Sequence, residues 1–168
     1  YWMGNDGFYA YNGQVQHIPC PVERHVFDNL TKQQKLKCFA GLNAKFNEVW
    51  WYYPTGDTDA SDDITNYVIF NYVEQLWSVG TLVRGAWAPE GIYDNPLASS
   101  VAASTSYIYK HEDGVNDDGG AMNTYITSGD IDIEDGDQVY HVSRVIPDFK
   151  VLTGNADITT TFANYPAS

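Results

Sequence analysis

The stretch that most constrains the fold is NEVWWYYPTG, residues 47–56, in which four aromatic side chains follow one another. Side chains of a β-strand alternate between its two faces, so this run divides into two sets. The sets are Val49, Trp51 and Tyr53 on one face, and Trp50, Tyr52 and Pro54 on the other. Both faces are large and apolar, which predicts a strand packed between two layers. An exposed platform for carbohydrate is the alternative, but such platforms usually space their aromatic residues along one face.

Strand and turn signals recur on both sides of this run. Asn5-Asp6-Gly7 separates YWMG from FYAY, and Asn12-Gly13 is the strongest short hairpin signal, so the N-terminus is predicted to be an antiparallel meander. From Phe46 onward, FNEVWWYYP and ITNYVIFNYVEQLWSVGTL predict three adjacent antiparallel strands, with Trp77 facing the core.

The second half of the chain is also predicted to be β-structure. GIYDNPLASSVAA has the composition of a loop, and strands are predicted over residues 105–111, 122–133, 139–146 and 156–162. Turns every roughly 10 to 15 residues favour an all-β fold of antiparallel sheets with tight hairpins, arranged as β-propeller-like blades or a β-sandwich. Residues 1–168 are predicted to be a single all-β domain or a fragment of a larger β-propeller-like protein, because a full propeller needs more chain.

One short helix is predicted within DNLTKQQKLKCFAG, residues 28–41. Thr31 followed three residues later by Gln34 resembles a capping box, and Gly41 can end the helix. A helix of one or two turns would pack at a sheet edge or between sheets, and would not define the fold.

The net charge of the chain restricts the kinds of molecule that it can bind. Nine basic and 22 acidic residues give a net charge of −13, which repels phosphate backbones and anionic lipid. Binding of nucleic acid by electrostatic attraction is therefore not expected. No apolar run approaches the ~20 residues needed to cross a bilayer, so no membrane partner is predicted.

Motifs for catalysis and for cofactors are missing from the sequence. It contains no G-x-S-x-G, Walker, H-E-x-x-H or G-x-G-x-x-G pattern, so no enzyme activity, catalytic residue or cofactor is predicted. The four histidines are scattered, and each is predicted to be an ordinary hydrogen-bonded residue: His17, His25, His111 and His141. Cys20 and Cys38 lack metal-ligand spacing and are predicted to be reduced thiols, with a single bridge as the alternative.

Acidic loops raise the possibilities of calcium binding and glycoside hydrolysis. One loop contains Asp57, Asp59, Asp62 and Asp63, and a second run is DIDIEDGD, residues 130–137. Asp130, Asp132 and Glu134 fit an EF-hand loop, but Asp135 stands where glycine is required. We therefore predict no metal site there, with the acids solvated and Ile131 and Ile133 in the core. Carboxylates are too abundant to indicate a glycosidase, and the sialidase-type Asp box is absent.

Several strings resemble segments of virion structural proteins of tailed bacteriophages. They are YWMGNDGFYAYNGQVQHIPCPVERHVF, FAGLNAKFNEVWWYYPT, NYVIFNYVEQLWSVGTLVRGAW and RVIPDF followed by ITTTFANYP. The likeness covers most of the chain and is nearest to the tail nozzle or DNA-stabilisation class, whose members are similar to β-propellers with inserted β domains.

This resemblance implies a virion location in the phage tail and a structural role without chemistry. The implied partners are other virion proteins and copies of the chain in a ring, with the genome passing nearby without specific binding. The competing class is a carbohydrate-binding or glycoside-active module, whose subsites would be the tyrosines and Trp50, Trp51, Trp77 and Trp87. A calcium-dependent adhesion module is the third class.

Overall fold

The computed structural model describes residues 1–56, 63–101, 106–122, 124–128, 141–148 and 156–161. The chain divides into two compact units, Tyr1–Val115 and Asn116–Ser168. The prediction of an all-β fold with antiparallel sheets, hairpins and one short α-helix is confirmed. The described residues form no closed barrel, and the choice between propeller blades and sandwich stays a prediction.

The described residues of the first unit form three sheets and one α-helix. Its elements are β1 (Trp2–Met3), β2 (Phe8–Tyr11), β3 (Val15–Ile18), α1 (Glu23–Asn29), β4 (Phe39–Asn43), β5 (Glu48–Pro54), β6 (Ile64–Asn71), β7 (Leu76–Thr81), β8 (Trp87–Ala88), β9 (Leu97–Ser99) and β10 (Ile108–Lys110). The sheets have the strand orders β1-β2-β3, β4-β5-β6-β7 and β10-β9-β8, and every neighbouring pair is antiparallel.

The N-terminal meander is confirmed. β2 pairs with β1 and β3, and Gly13 takes a φ of +104° in the turn between β2 and β3, a conformation that favours glycine. Phe8 on β2 and Val26 on α1 are fully buried, so the meander and the helix cover one face of the central sheet.

The central sheet contains the three predicted strands β5, β6 and β7, with β4 added at one edge. In its register Trp51 faces Val68, and Phe70 faces Trp77, so the core residues of neighbouring strands lie side by side. The core cluster consists of Phe8, Val26, Val49, Trp51, Tyr53, Val68 and Phe70. Trp77 packs against this cluster, as predicted.

The sheet β8-β9-β10 packs on the opposite face of the central sheet, where Trp87 contacts Trp50. Part of GIYDNPLASSVAA forms β9, so the prediction of a loop there is wrong for residues 97–99. Ala98 is buried and pairs with both Trp87 and Tyr109, and this tertiary pairing overrides the loop-like composition. β10 lies inside the strand predicted over residues 105–111.

The α-helix lies upstream of the predicted one. Residues Lys32–Lys37 form a 3₁₀ segment with a non-helical kink at Gln34, and Gly41 lies within β4. The Thr31 carbonyl accepts the Gln34 N–H over 3.0 Å, but the Thr31 side chain makes no capping bond to this segment. Its backbone N–H donates to the Pro54 carbonyl over 3.0 Å, and its hydroxyl donates to the Gly56 carbonyl over 3.3 Å. A capping box would use the same N–H and hydroxyl, and here both bond to the end of β5 and the residues after it.

The second unit contains the short hairpin β11 (Asn116–Asp117) and β12 (Gly120–Ala121). Asp118 and Gly119, with φ of 48° and 82°, supply the two positive-φ positions that such a tight turn favours. The described parts of the last three predicted strands, at 122, 124–128, 141–146 and 156–161, contain no strand, which corrects those predictions. Strand propensity needs a partner and a buried face, whereas side chains there are exposed.

Candidate functional site

The aromatic run of β5 is packed on both faces. Trp51 is 3% exposed, and its ring lies 5.0 Å from the Phe8 ring and 6.0 Å from the Trp77 ring. Tyr52 and Tyr53, whose side chains point to opposite faces, are both fully buried. The prediction that this run is interior packing between two layers is confirmed, and the open-platform interpretation of the run is wrong.

On the face towards β8, an aromatic stack joins the two sheets. The Trp50 ring lies 4.7 Å from the Tyr67 ring and 5.7 Å from the Trp87 ring, and the two indoles are within 19° of parallel. Tyr52 stacks on Phe39 at 4.7 Å. Offset and tilted rings at these distances stabilise a fold beyond their buried area, so this stack fastens β8 to the central sheet.

Three of the four tryptophans proposed as sugar subsites also use their indole N–H groups inside the fold. Trp50 donates to Oε2 of Glu48 over 2.9 Å, and Trp77 donates to the Pro19 carbonyl over 3.0 Å. Trp87 donates over 3.0 Å to the carbonyl of Leu42, which lies in β4. Their polar atoms are therefore already engaged by neighbouring strands and loops.

A pair of carboxyl groups lies where β4 ends and β5 begins. Burial raises the pKa of Glu48, the hydrogen bond from Trp50 opposes this effect, and the negative charge of Glu112 adds to it. Asn43 is fully buried, and its Nδ2 donates to Oε1 of Glu112 over 3.1 Å. Each carboxyl group thus accepts a hydrogen bond from a neighbouring side chain, and the bond from Asn43 to Glu112 ties the segment after β10 to the central sheet. No local spacing in the sequence indicates this pair.

His111 lies beside the same aromatic stack. Its Nε2 accepts a hydrogen bond from Nε of Arg84 over 3.0 Å, and the Arg84 guanidinium lies 4.1 Å from the centre of the Tyr109 ring. The Trp87 ring lies 4.8 Å from the imidazole. Burial, followed by the Arg84 charge, lowers the pKa of His111 to about 4. His111 is therefore neutral near pH 7, with its acceptor nitrogen occupied, as expected of a structural histidine.

Within the first unit, His17 and His25 make contacts different from those of His111. His17 on β3 lies 3.2 Å from Oε2 of Glu23, and His25 on α1 contacts Asn29. His141 is exposed in the second unit.

The two cysteines are free thiols, as predicted. Burial raises the pKa of Cys20 and of Cys38 to about 11. Because the thiolate is the nucleophile and the metal ligand, neither residue is poised for such chemistry near pH 7.

An exposed aromatic row on the N-terminal sheet was missed by the sequence analysis. Trp2, Tyr9 and His17 are aligned partners on β1, β2 and β3, and the first two rings stack at 5.6 Å. The Tyr9 hydroxyl donates to Oδ1 of Asp6 over 2.9 Å, and this bond is the main cause that raises the pKa of Tyr9. The alternation of side chains between the two faces of the hairpin at Asn12-Gly13 could have revealed the row. It places Tyr9 on the face opposite to that of the buried Phe8.

Most of the acids considered for calcium lie outside the described residues: Asp57, Asp59, Asp62, Asp130, Asp132, Glu134 and Asp135, together with Ile131 and Ile133. Asp63 is described, and its carboxylate lies 3.0 Å from Nζ of Lys37. Within the described ranges, no three histidine, cysteine, aspartate or glutamate side chains are close enough to hold a metal ion.

Two open grooves lie on the first unit. One, of about 370 Å³, runs beside β4 and is lined by Tyr1, Leu42, Trp87 and Pro89. The other, of about 610 Å³, is lined by residues that include Met3, Leu30, Lys35 and Cys38. The lining of the first groove contains no charged side chain, whereas the lining of the second adds Asn5, Lys32 and Lys35 to its apolar residues.

Among the described residues, no helix is long and apolar enough to span a bilayer. Comparison with protein-family models, with curated proteins and with solved structures gives no significant match.

Proposed function

We propose that this chain is a structural subunit of a bacteriophage virion, in the nozzle or hub of the tail, and that it carries out no chemistry. Its partners are other virion proteins and copies of itself arranged in a ring, with no membrane involved. The phage assignment rests on the aromatic and turn-rich strings quoted above. The assembly role is supported by the surface of the second unit.

The assembly role rests on one observation, the exposure of large apolar side chains after residue 115. Tyr125 is 81% exposed, Ile146 is 74% exposed, and Ile126 is completely exposed. Large apolar side chains left in water over a short stretch mark surfaces that partners cover. Neighbouring subunits of a particle would supply that cover.

The alternative, a carbohydrate-binding or glycoside-active module, has less support. Its named tryptophans stack within the first unit, and three of them donate their N–H groups to neighbouring segments. Paired carboxyl groups are present at Glu48 and Glu112, but each already accepts a hydrogen bond. These contacts favour the structural role.

The net charge of −13 fits a subunit past which DNA moves without being held. The assembled particle is expected to retain no DNA through this chain in a filter-binding assay at low salt, because its acids repel the phosphates. Tight retention that weakens as salt is raised would contradict this part of the proposal.

Labelling of purified virions tests the location. An antibody raised against the first unit is expected to decorate particle tails in electron micrographs, with pre-immune serum as the control. Decoration of the capsid shell alone would contradict the tail location. Virions that carry none of the chain by mass spectrometry would contradict the virion role itself.

A further inference from the structure

The hydrogen bonds of the central sheet fix which backbone groups of β7 point outward. Leu82 N–H donates to the Thr65 carbonyl over 2.9 Å, and these residues extend the register in which Asn66 faces Thr81. Hydrogen-bonded pairs alternate along an antiparallel ladder, so the even-numbered residues of β7 bond to β6. The N–H and C=O groups of the three odd-numbered residues, Trp77, Val79 and Thr81, therefore point away from the sheet.

The opposite edge of this sheet is covered at Leu42. Tyr72 N–H donates to the Asn47 carbonyl over 3.0 Å, so the odd-numbered residues of β5 bond to β6 and its even-numbered residues bond to β4. The backbone N–H and C=O groups of Ala40 and Leu42 on β4 therefore point away from the sheet. The Leu42 carbonyl accepts the Trp87 indole N–H. A side chain from β8 thus occupies the β4 edge.

In the part of the chain that the structure describes, the β7 edge has no such cover. Across the described residues, no hydrogen bond reaches the outward backbone groups of β7. The strand LWSVGT contains no proline, lysine or bulge, the devices that usually protect an edge from pairing. Val79, at the centre of its three outward residues, is 39% exposed.

We propose that β7 pairs in antiparallel fashion with β7 of a second copy of this chain, with Val79 facing Val79 across a two-fold axis. This inference deepens the proposed assembly role and rests on it. In this register Trp77 faces Thr81 of the second copy, so all the outward groups of Trp77, Val79 and Thr81 find partners in both copies. The two central sheets then become one continuous sheet through an isologous contact, which joins the copies in pairs, and a ring of such pairs needs a second contact besides this one.

Charge favours a second copy as the occupant. Despite the net charge of −13, residues 75–83 contain no charged side chain, so the paired strands bring no like charges together. The first charged residues on either side are Glu74 and Arg84, each five residues from Val79. The antiparallel arrangement brings Glu74, which precedes β7, to the end where Arg84 of the second copy follows the strand, whereas a parallel pair would bring the two Glu74 residues to the same end.

Charge exchange at position 79 tests the pairing in the full chain. Val79→Lys and Val79→Glu each place like charges opposite one another, and each is expected to raise the dissociation constant of the pair by about tenfold or more. Sedimentation velocity over a range of concentrations measures this constant. An equimolar mixture of the two variants is expected to restore association, because lysine then faces glutamate.

The matched control is Ala40→Lys, an exposed, outward residue on the β4 edge, which is expected to leave the dissociation constant unchanged. Urea unfolding of every variant checks that the fold persists. Association unaffected by the Val79 substitutions, or lost without recovery on mixing, would overturn the β7 pairing and leave the assembly role standing. A native chain that stays monomeric at all concentrations would overturn both.

Discussion

Replacing Trp51 with alanine is expected to lower the free energy of unfolding by about 3–5 kcal/mol, the largest effect of any single substitution considered. Trp51 is nearly inaccessible to water and packs between Phe8 and Trp77. Alanine would leave a cavity between the N-terminal meander and the central sheet. Because domains are stable by only about 5–15 kcal/mol, such a loss brings the variant close to unfolding. Urea unfolding followed by circular dichroism measures the change.

Two further substitutions make this result specific. Trp2→Ala removes the same side chain from the exposed row of β1, and we expect a cost of about 1 kcal/mol or less. Trp51→Phe is expected to cost much less than Trp51→Ala, because it keeps a ring and removes a buried indole N–H that has no hydrogen-bond partner among the described residues. Equal costs for Trp51→Ala and Trp2→Ala would show that the β5 run is not interior.

The strands and turns that depend on local rules could be predicted from the sequence. Period-two alternation placed Trp51 and Tyr52 on opposite faces, and the large size of both residues required a layer on each side. Asn12-Gly13 marked a hairpin because glycine readily takes the positive φ of +104° found there. These features need no knowledge of distant residues.

Features that depend on long-range contacts could not be predicted. Thr31 carries a capping signal, but its N–H and hydroxyl bond to the end of β5 instead. Ala98 lies in a loop-like sequence and becomes part of a strand because Trp87 and Tyr109 pair with it. The carboxyl pair of Glu48 and Glu112 depends on the same placement of the β8-β9-β10 sheet.

Gly41→Val is expected to lower the free energy of unfolding by about 1–3 kcal/mol, although valine suits a strand better than glycine by up to about 1 kcal/mol. A Cβ atom at position 41 would lie 2.6 Å from Cγ and 2.7 Å from Cδ1 of Trp87. That indole is held by Trp50 on one side and by the Leu42 carbonyl at its N–H. It therefore has to move as a whole, which weakens the attachment of β8 to the central sheet.

A movement of the Trp87 indole should change the pKa of His111. Burial is the main cause that lowers its pKa to about 4, and the Trp87 ring lies 4.8 Å from the imidazole. In Gly41→Val, solvent is expected to reach His111, and its pKa should rise towards the ordinary value of 6.5, as followed by an NMR titration. Gly91→Val is the matched control, because a Cβ atom there meets nothing within 4 Å. If Gly41→Val changes neither stability nor the His111 pKa, the stack of Trp87 against β4 does not hold the two sheets together.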